Sequence, residues 1–409
     1  MCIRFSFGKL RHLLLAARQP IGGCRERHPR PASVRKRFRA LSRSLERPLR
    51  MPEASNGVVP LTMRAAINTA GGGPEVLAIE ERPVPTPARD EVLVRVVTSG
   101  LNRADLLQRA GRYPAPPGWP ADIPGLEFAG EVVACGATVQ RWRSGDRVFG
   151  LVGGGAHAQY LVAHERAVAA IPASLGWEQA GVACEAFITA HDALVTQAAL
   201  RPGESVLIHA VGSGVALAAV QLIRALGGTS YGSARGASKI TAARELGLAN
   251  GVVAENVASI APAVMEWTRG RGVDVVLDLV GGDYVAASVA SLAMRGRLML
   301  VGSLAGRAAS LDLGTMLSKR LTVRGTSLRA RPLEERILAT QAFEREVVPW
   351  LANGTLSTRI DGGFSLSDIA KAHARLESND TIGKIVLDIG AQVGRDSVAP
   401  SRGATGCTA

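Results

Sequence analysis

The nineteen residues Ser205–Ile223 contain no Lys, Arg, Asp or Glu. A run of that length could cross a bilayer, but His209, Ser213, Gln221 and two glycines interrupt it. Its texture changes along its length. An apolar run, Ser205–His209, meets Gly212-Ser213-Gly214, and an apolar helical stretch follows over Leu217–Leu226. That order predicts a buried strand, a tight turn and a buried helix. A strand apolar on both faces belongs in a parallel sheet covered by helices on each side.

The same alternation recurs. Thr229–Ser233, Val273–Asp278 and Arg297–Val301 read as further strands, separated by helical stretches. Residues 185–321 are therefore expected to form one doubly wound α/β domain. The flanking sequence is different. Glu91–Thr98, Gly130–Cys135 and Arg147–Leu151 are short β-rich runs punctuated by Gly and Pro, which predicts a small barrel-like β domain with few long helices. After Leu321 the chain returns to mixed strands and ends its ordered part in Lys384–Asp388. The expected fold class is α/β: a β domain (63–184 and 322–389) interrupted by the parallel-sheet domain.

The formal charge of +13 resembles a nucleic-acid signature, but it is concentrated at one end. Residues 1–50 hold 14 basic and 2 acidic groups, and the remaining 359 residues hold 34 and 33. The body is nearly neutral, which argues against a DNA-coating protein. Residues 1–62 are expected to be a disordered basic leader. Their Arg-rich, acid-poor composition also fits a mitochondrial presequence, so cytoplasm is the expected location and the mitochondrial matrix the alternative. Residues 390–409 are expected to form a loose tail. The five cysteines contain no CxxC pair, which gives neither a disulfide framework nor a thiolate zinc site.

The glycine turn is where chemistry enters. Small residues between a strand and a helix let backbone approach phosphate oxygens, and the helix start supplies free N–H donors. Gly212, Ser213, Gly214 and Val215 are candidate dinucleotide contacts. An NAD site places a carboxylate about 20 residues further on, yet no acidic residue stands between Glu204 and Glu245. Ser233, Arg235 and Lys239 follow the second strand instead, and suit the 2′-phosphate of NADPH. The alternative is that Arg235 and Lys239 are ordinary solvated turn residues.

Upstream, Gly100-Leu101-Asn102-Arg103-Ala104-Asp105 runs on to Gly111-Arg112-Tyr113-Pro114, then to Pro124-Gly125-Leu126-Glu127-Phe128-Ala129-Gly130 and Gly145-Asp146-Arg147-Val148. With Asp274–Gly282 and Gly383–Leu387, these runs resemble the medium-chain dehydrogenase/reductase superfamily, and within it the zinc-free quinone oxidoreductase branch. The resemblance extends from Met63 to Ile389. It implies a GroES-like β-barrel catalytic domain interrupted by a Rossmann-type domain. Zinc-dependent relatives carry Cys, His and Cys where Asn102, Leu126 and Glu185 stand, so no metal is expected. The resemblance implies that Asn102 and Tyr113 hold and polarise the substrate oxygen, Tyr113 also passing a proton. The alternatives are that Asn102 caps a turn and that Tyr113 packs beneath the proline-rich loop. Thr189 would approach the nicotinamide, Gly281 and Gly302 would leave room for it, and Lys384 would join the cofactor contacts. Asp105 would cap a helix, His157 would sit on a surface loop, and His191 would begin a helix.

The resulting expectation is an NADPH-dependent reductase that transfers hydride to quinones or related α,β-unsaturated carbonyls. The alternatives are an enoyl-thioester reductase and a non-catalytic NADPH-binding protein. A small-molecule substrate is expected, with neither nucleic acid nor a membrane span, and a homodimer whose edge strand is Leu298–Val301.

Overall fold

The structure, a computed structural model, describes residues 59–390. The expected tail, and all but the last four residues of the expected leader, lie outside the described residues. Fifteen strands follow in chain order among the described residues. The first group is β1 (Thr62–Asn68), β2 (Leu77–Pro83), β3 (Glu91–Leu101), β4 (Glu127–Cys135), β5 (Arg147–Leu151), β6 (Tyr160–His164) and β7 (Val168–Ala170). The second is β8 (Ser205–His209), β9 (Thr229–Ala234), β10 (Asn250–Val253), β11 (Val273–Asp278), β12 (Leu292–Leu300) and β13 (Thr322–Gly325). The chain then returns to the first layer with β14 (Ile360–Ser365) and β15 (Lys384–Asp388).

β3 organises the β domain because it is long enough to serve three partners. Its first half pairs with β6, its second half with β15, and β4 runs antiparallel along its other side. The sheet continues through β5 to β7, and β14 lies parallel to β15. Val92, Val94 and Val96 alternate into a core with Phe128, Val132 and Val148, as a period of two dictates. β1 and β2 form a separate antiparallel pair, and β1 begins at Thr62.

The second sheet has the order β10-β9-β8-β11-β12-β13, and its strands run parallel. All five residues of β8 are buried, as the uncharged run implies. The order reverses at β8, with β9 on one side and β11 on the other. A crevice at the carboxyl ends of such strands is where open α/β sheets bind ligands. Two expectations need correction here. The sixth strand is Thr322–Gly325, so a boundary at 321/322 would cut the sheet. The strand holding Leu298–Leu300 is also internal, covered by β13, so β13 is the edge.

The two layers meet at one seam. The Gly383 N–H donates to the Gly212 carbonyl at 2.9 Å, tying the start of β15 to the glycine turn. The helix Cys184–His191 buries Phe187 and Ile188 in the core shared with Leu217 and Val220 of the helix Gly214–Ala225. No helix among the described residues is long and apolar enough to cross a membrane.

Candidate active site

The turn after β8 is built as the sequence implies, with a strained step. Ala210 adopts φ +53°, a left-handed conformation that side chains other than glycine seldom take. Ser213 then caps the helix Gly214–Ala225, its hydroxyl accepting from the Ala216 N–H at 3.4 Å. The parallel bridge between Ser213 and Gly383 engages the Gly214 N–H, and of the first-turn donors the Val215 N–H has no acceptor among the described residues. The glycines serve a further purpose. A Cβ on Gly212 would stand 2.8 Å from Lys239 Cγ, and one on Gly214 would overlap Lys384 Cδ. Two lysine stems thus lie across the turn.

Their ammonium groups go to different places. Lys239, from the helix Ala237–Glu245, donates to the Asn379 carbonyl. Burial, then the nearby Arg235, holds it below its usual value. Arg103, half-buried at the start of the helix Arg103–Arg109, is lowered in the same way, by burial first and Arg235 next. Arg103, Arg235 and Lys239 therefore form a cationic cluster that makes no ion pair with a described residue. A helix start beside this cluster, with no carboxylate following β9 until Glu245, fits an anionic dinucleotide bearing an extra phosphate. Arg103 was the member that sequence reasoning undervalued, because it comes from the β domain.

Ser233 does not face that cluster. It is fully buried, and its hydroxyl lies 2.8 Å from His209 Nδ1. The other ring nitrogen is 2.9 Å from the Ser288 hydroxyl, which itself donates to the Tyr284 carbonyl at 2.8 Å. The Ser288 oxygen must therefore accept from His209 Nε2–H, leaving Nδ1 to accept from Ser233. The Ser233 proton is spent beneath the sheet end, which corrects its expected phosphate role. Gly281 and Gly302 also have a structural reason to lack side chains. Gly281 has φ +69°, a Cβ there would stand 2.9 Å from the Gly302 carbonyl oxygen, and one on Gly302 would strike the Leu279 carbonyl. The close approach of the two loops by itself requires glycine at both positions.

A buried network fastens the seam beneath. Glu127 Oε1 accepts from Lys384 Nζ at 2.7 Å and from Asn102 Nδ2 at 3.1 Å, while its Oε2 accepts from the Glu185 N–H at 2.8 Å. Lys384 donates further to Asn102 Oδ1 and to the Leu101 carbonyl. Asn102 gives its second amide hydrogen to the Gly100 carbonyl at 3.2 Å. Both amide hydrogens are committed, so Asn102 is no free donor to a substrate oxygen. Lys384 likewise spends its charge on Glu127, and only its stem reaches the glycine turn. Asp105 closes the first turn of the helix Arg103–Arg109, accepting from the Asn102 N–H at 2.7 Å, and also holds the Gly125 N–H at 3.1 Å. At the positions where zinc-dependent relatives hold their metal, Leu126 offers hydrocarbon and the Asn102 oxygen faces an ammonium. No group of three or more His, Cys, Asp or Glu among the described residues could hold a metal ion. This donor set does not fit zinc.

Above the network lies a narrow cavity whose walls include Leu126, Leu151, Val152, Ile188 and Leu328. Arg329, Arg336 and Glu185 also line it. Arg329 is braced by the Gly153 carbonyl (2.8 Å), the Tyr113 carbonyl (3.1 Å) and Gln108 Oε1 (2.5 Å). Its guanidinium lies 4.9 Å from the Tyr113 ring centre. Tyr113 itself is not on the cavity wall, and its hydroxyl is 3.3 Å from the Ser327 hydroxyl. The polar group the structure brings to the cavity is Glu185, one helical turn before half-buried Thr189. Its carboxyl makes no hydrogen bond or ion pair with a described residue. Two sequence signals point to it: an acid inside the apolar run Val182–Ile188, and its place where zinc-dependent relatives carry a ligand Cys.

Two histidines depart from expectation. His157 is fully buried, its Nε2 3.4 Å from the Gly100 carbonyl, and belongs to no surface loop. His191 ends its helix and pairs with Glu346 at 2.9 Å.

Comparison with known proteins agrees with this geometry. Residues 88–194 match the alcohol dehydrogenase GroES-like domain, and residues 249–387 match the zinc-binding dehydrogenase family. A quinone oxidoreductase of Pseudomonas aeruginosa is 34% identical over 323 residues, 78% of this chain and 97% of its own length. Among solved structures, the quinone oxidoreductase of Pseudomonas syringae pv. Tomato DC3000 superposes with a TM-score of 0.72 at 31% identity, covering 80% of this chain and 100% of that one. A mycobacterial protein solved in complex with NADPH gives 0.71 at 29% identity, with the same shares covered. With a GroES-like β domain, an inserted parallel-sheet domain and hydrocarbon where a zinc ligand would stand, the chain belongs to the zinc-independent medium-chain dehydrogenase/reductase family.

Proposed function

We propose that this protein is an NADPH-dependent reductase that transfers hydride to quinones or related α,β-unsaturated carbonyl compounds without a metal. The observation that carries the reading is the junction of two features. A helix start stands beside the cations Arg103, Arg235 and Lys239, which make no ion pair with a described residue, and an apolar cavity opens at the same seam. The first suits the phosphates of NADPH, and Arg235 and Lys239 suit the 2′-phosphate in particular. The second suits a flat, uncharged acceptor held against a flat ring, which hydride transfer requires. Thr189, one helical turn beyond Glu185, would meet the nicotinamide. The quinone oxidoreductases among the relatives support the acceptor class.

Fluorescence titration with NADPH and NADH, followed by oxidation of the bound cofactor with 9,10-phenanthrenequinone or a short enoyl-CoA, tests the reading. NADPH is expected to bind at least about tenfold tighter, an increment of roughly 1.4 kcal/mol, and the quinone to turn over faster. Equal affinities would overturn the cofactor assignment, and faster enoyl-CoA reduction would overturn the acceptor. We further propose a cytoplasmic homodimer joined across the edge strand β13. Exposed Leu304, Leu313 and Leu317 lie close to that edge in sequence. Light scattering that returns a monomer mass would exclude the dimer.

A further inference from the structure

The reductase reading accounts for a hydride but leaves a proton to be found. Reduction of a quinone or an enone puts an electron pair on the carbonyl oxygen, and that oxygen needs a proton donor within reach. Asn102 has both amide hydrogens committed, and Tyr113 is off the cavity wall. Thr340 also lines the cavity, but its hydroxyl donates to the Arg336 carbonyl at 3.1 Å. On that wall Glu185 is the carboxyl group, and it makes no hydrogen bond or ion pair with a described residue.

We propose that the Glu185 carboxylic acid is the proton donor to the substrate oxygen. The inference rests on the reductase reading. As hydride adds to the carbon conjugated with the carbonyl, the C=C π pair shifts to form a new C=C bond to the carbonyl carbon and the C=O π pair moves onto oxygen. The Glu185 O–H bond breaks, a new O–H bond forms on the substrate, and Glu185 is left as a carboxylate that water reprotonates. The nicotinamide, when bound, supplies the two electrons, and no other reductant is needed.

The surroundings of Glu185 suit this task. Its backbone N–H holds Glu127, which keeps a buried negative charge close by on β4, and Asp105 adds another from the helix Arg103–Arg109. Lys384 on β15 and Arg329 oppose them, but both are tied to other acceptors. Arg336, across the cavity on the helix Leu333–Glu346, stacks 5.1 Å from the Trp119 ring centre and makes no ion pair with Glu185. Burial first, then Glu127, pushes the Glu185 carboxyl up to about 7, so a substantial share of it carries a proton at neutral pH.

Two measurements on the full chain, wild type and Glu185→Gln, test the role. The first needs no cofactor: infrared difference spectra across pH 5–9 report the carbonyl stretch of a protonated acid. A band that is lost with a midpoint near 7 and is missing in Glu185→Gln is expected; its absence from wild type at low pH overturns the proposal. The second is stopped-flow reduction of 9,10-phenanthrenequinone by NADPH. The wild-type rate should fall as pH rises through 7. Glu185→Gln should be slower by on the order of 10² and flat with pH, and Glu185→Asp should recover part of the rate. A Glu185→Gln variant with the wild-type rate and pH profile overturns the role while leaving the reductase reading intact. A wild type that oxidises NADPH with neither quinone nor enone overturns both.

Discussion

Lys384 Nζ lies 2.7 Å from Glu127 Oε1, with side-chain exposures of 7% and 0%. A buried pair of this kind adds little net stability, because desolvation offsets most of the attraction. Removing one partner is another matter. Lys384→Met should cost about 3–5 kcal/mol, since it strands the Glu127 carboxylate in the seam. The double variant Lys384→Met with Glu127→Gln should recover much of that loss. Urea unfolding of the four proteins of this cycle measures it, and a single variant as stable as wild type would show that the charge escapes to water.

Acid stability follows from the buried histidines. Burial drives the His209 imidazole down to about 4, and burial, then His157, drives His373 to about 2. Unfolded histidine protonates near 6.5, so between 6.5 and 4 the unfolded chain binds more protons than the folded one. Stability therefore falls as pH drops through that window, by roughly 3 kcal/mol for His209 alone. Glu185, raised to about 7 from 4.5, has the opposite slope: the folded chain holds its proton longer, and stability falls as pH rises from 4.5 through 7. His209→Gln should flatten the acid limb in thermal unfolding followed from pH 7 to 4. An unchanged limb would assign the acid sensitivity to other groups.

The cationic cluster makes a selective prediction. Arg235→Ala and Arg103→Ala should each weaken NADPH binding by about tenfold, or roughly 1.4 kcal/mol. NADH binding should change little. Added salt should reduce the NADPH advantage, because Arg235 is exposed and its charge is screened. Equal losses for both nucleotides would move these residues from the 2′-phosphate to the pyrophosphate or to structure.

The fold was legible where periodicity and composition sufficed. The apolar runs in β8 and β11, the glycine turn and the alternating β3 identified both sheets, because burial on two faces or one leaves a pattern in the chain. The site was legible only in part. Ser233 and Lys384 carry the right chemistry for phosphate, but His209 claims the Ser233 hydroxyl and Glu127 the Lys384 ammonium. These partners lie 24 residues away for Ser233 and hundreds for Lys384. Arg103 and Glu185 were visible as residues, yet their roles depend on a seam that joins the helix Arg103–Arg109, β4, β15 and the helix Cys184–His191. A one-dimensional pattern does not show which charged groups share a seam and which are left without a partner.

Tyr113 provides the sharpest division between resemblance and geometry. Phe at that position keeps the ring on which Arg329 stacks and removes only a hydroxyl 3.3 Å from Ser327. That contact is exposed and long, worth roughly 0.5 kcal/mol at most. Tyr113→Phe should therefore leave kcat with 9,10-phenanthrenequinone within about threefold of wild type. NADPH affinity should be unchanged. Arg329→Met should be far more damaging, since it abandons three hydrogen bonds that hold the cavity wall to Gly153, Tyr113 and Gln108. Steady-state kinetics of the two variants, with NADPH affinity measured separately, distinguish the cases. A large fall in kcat for Tyr113→Phe at constant affinity would mean that the loop swings the phenol into the cavity during turnover, and Tyr113 would then share the proton-donor role with Glu185.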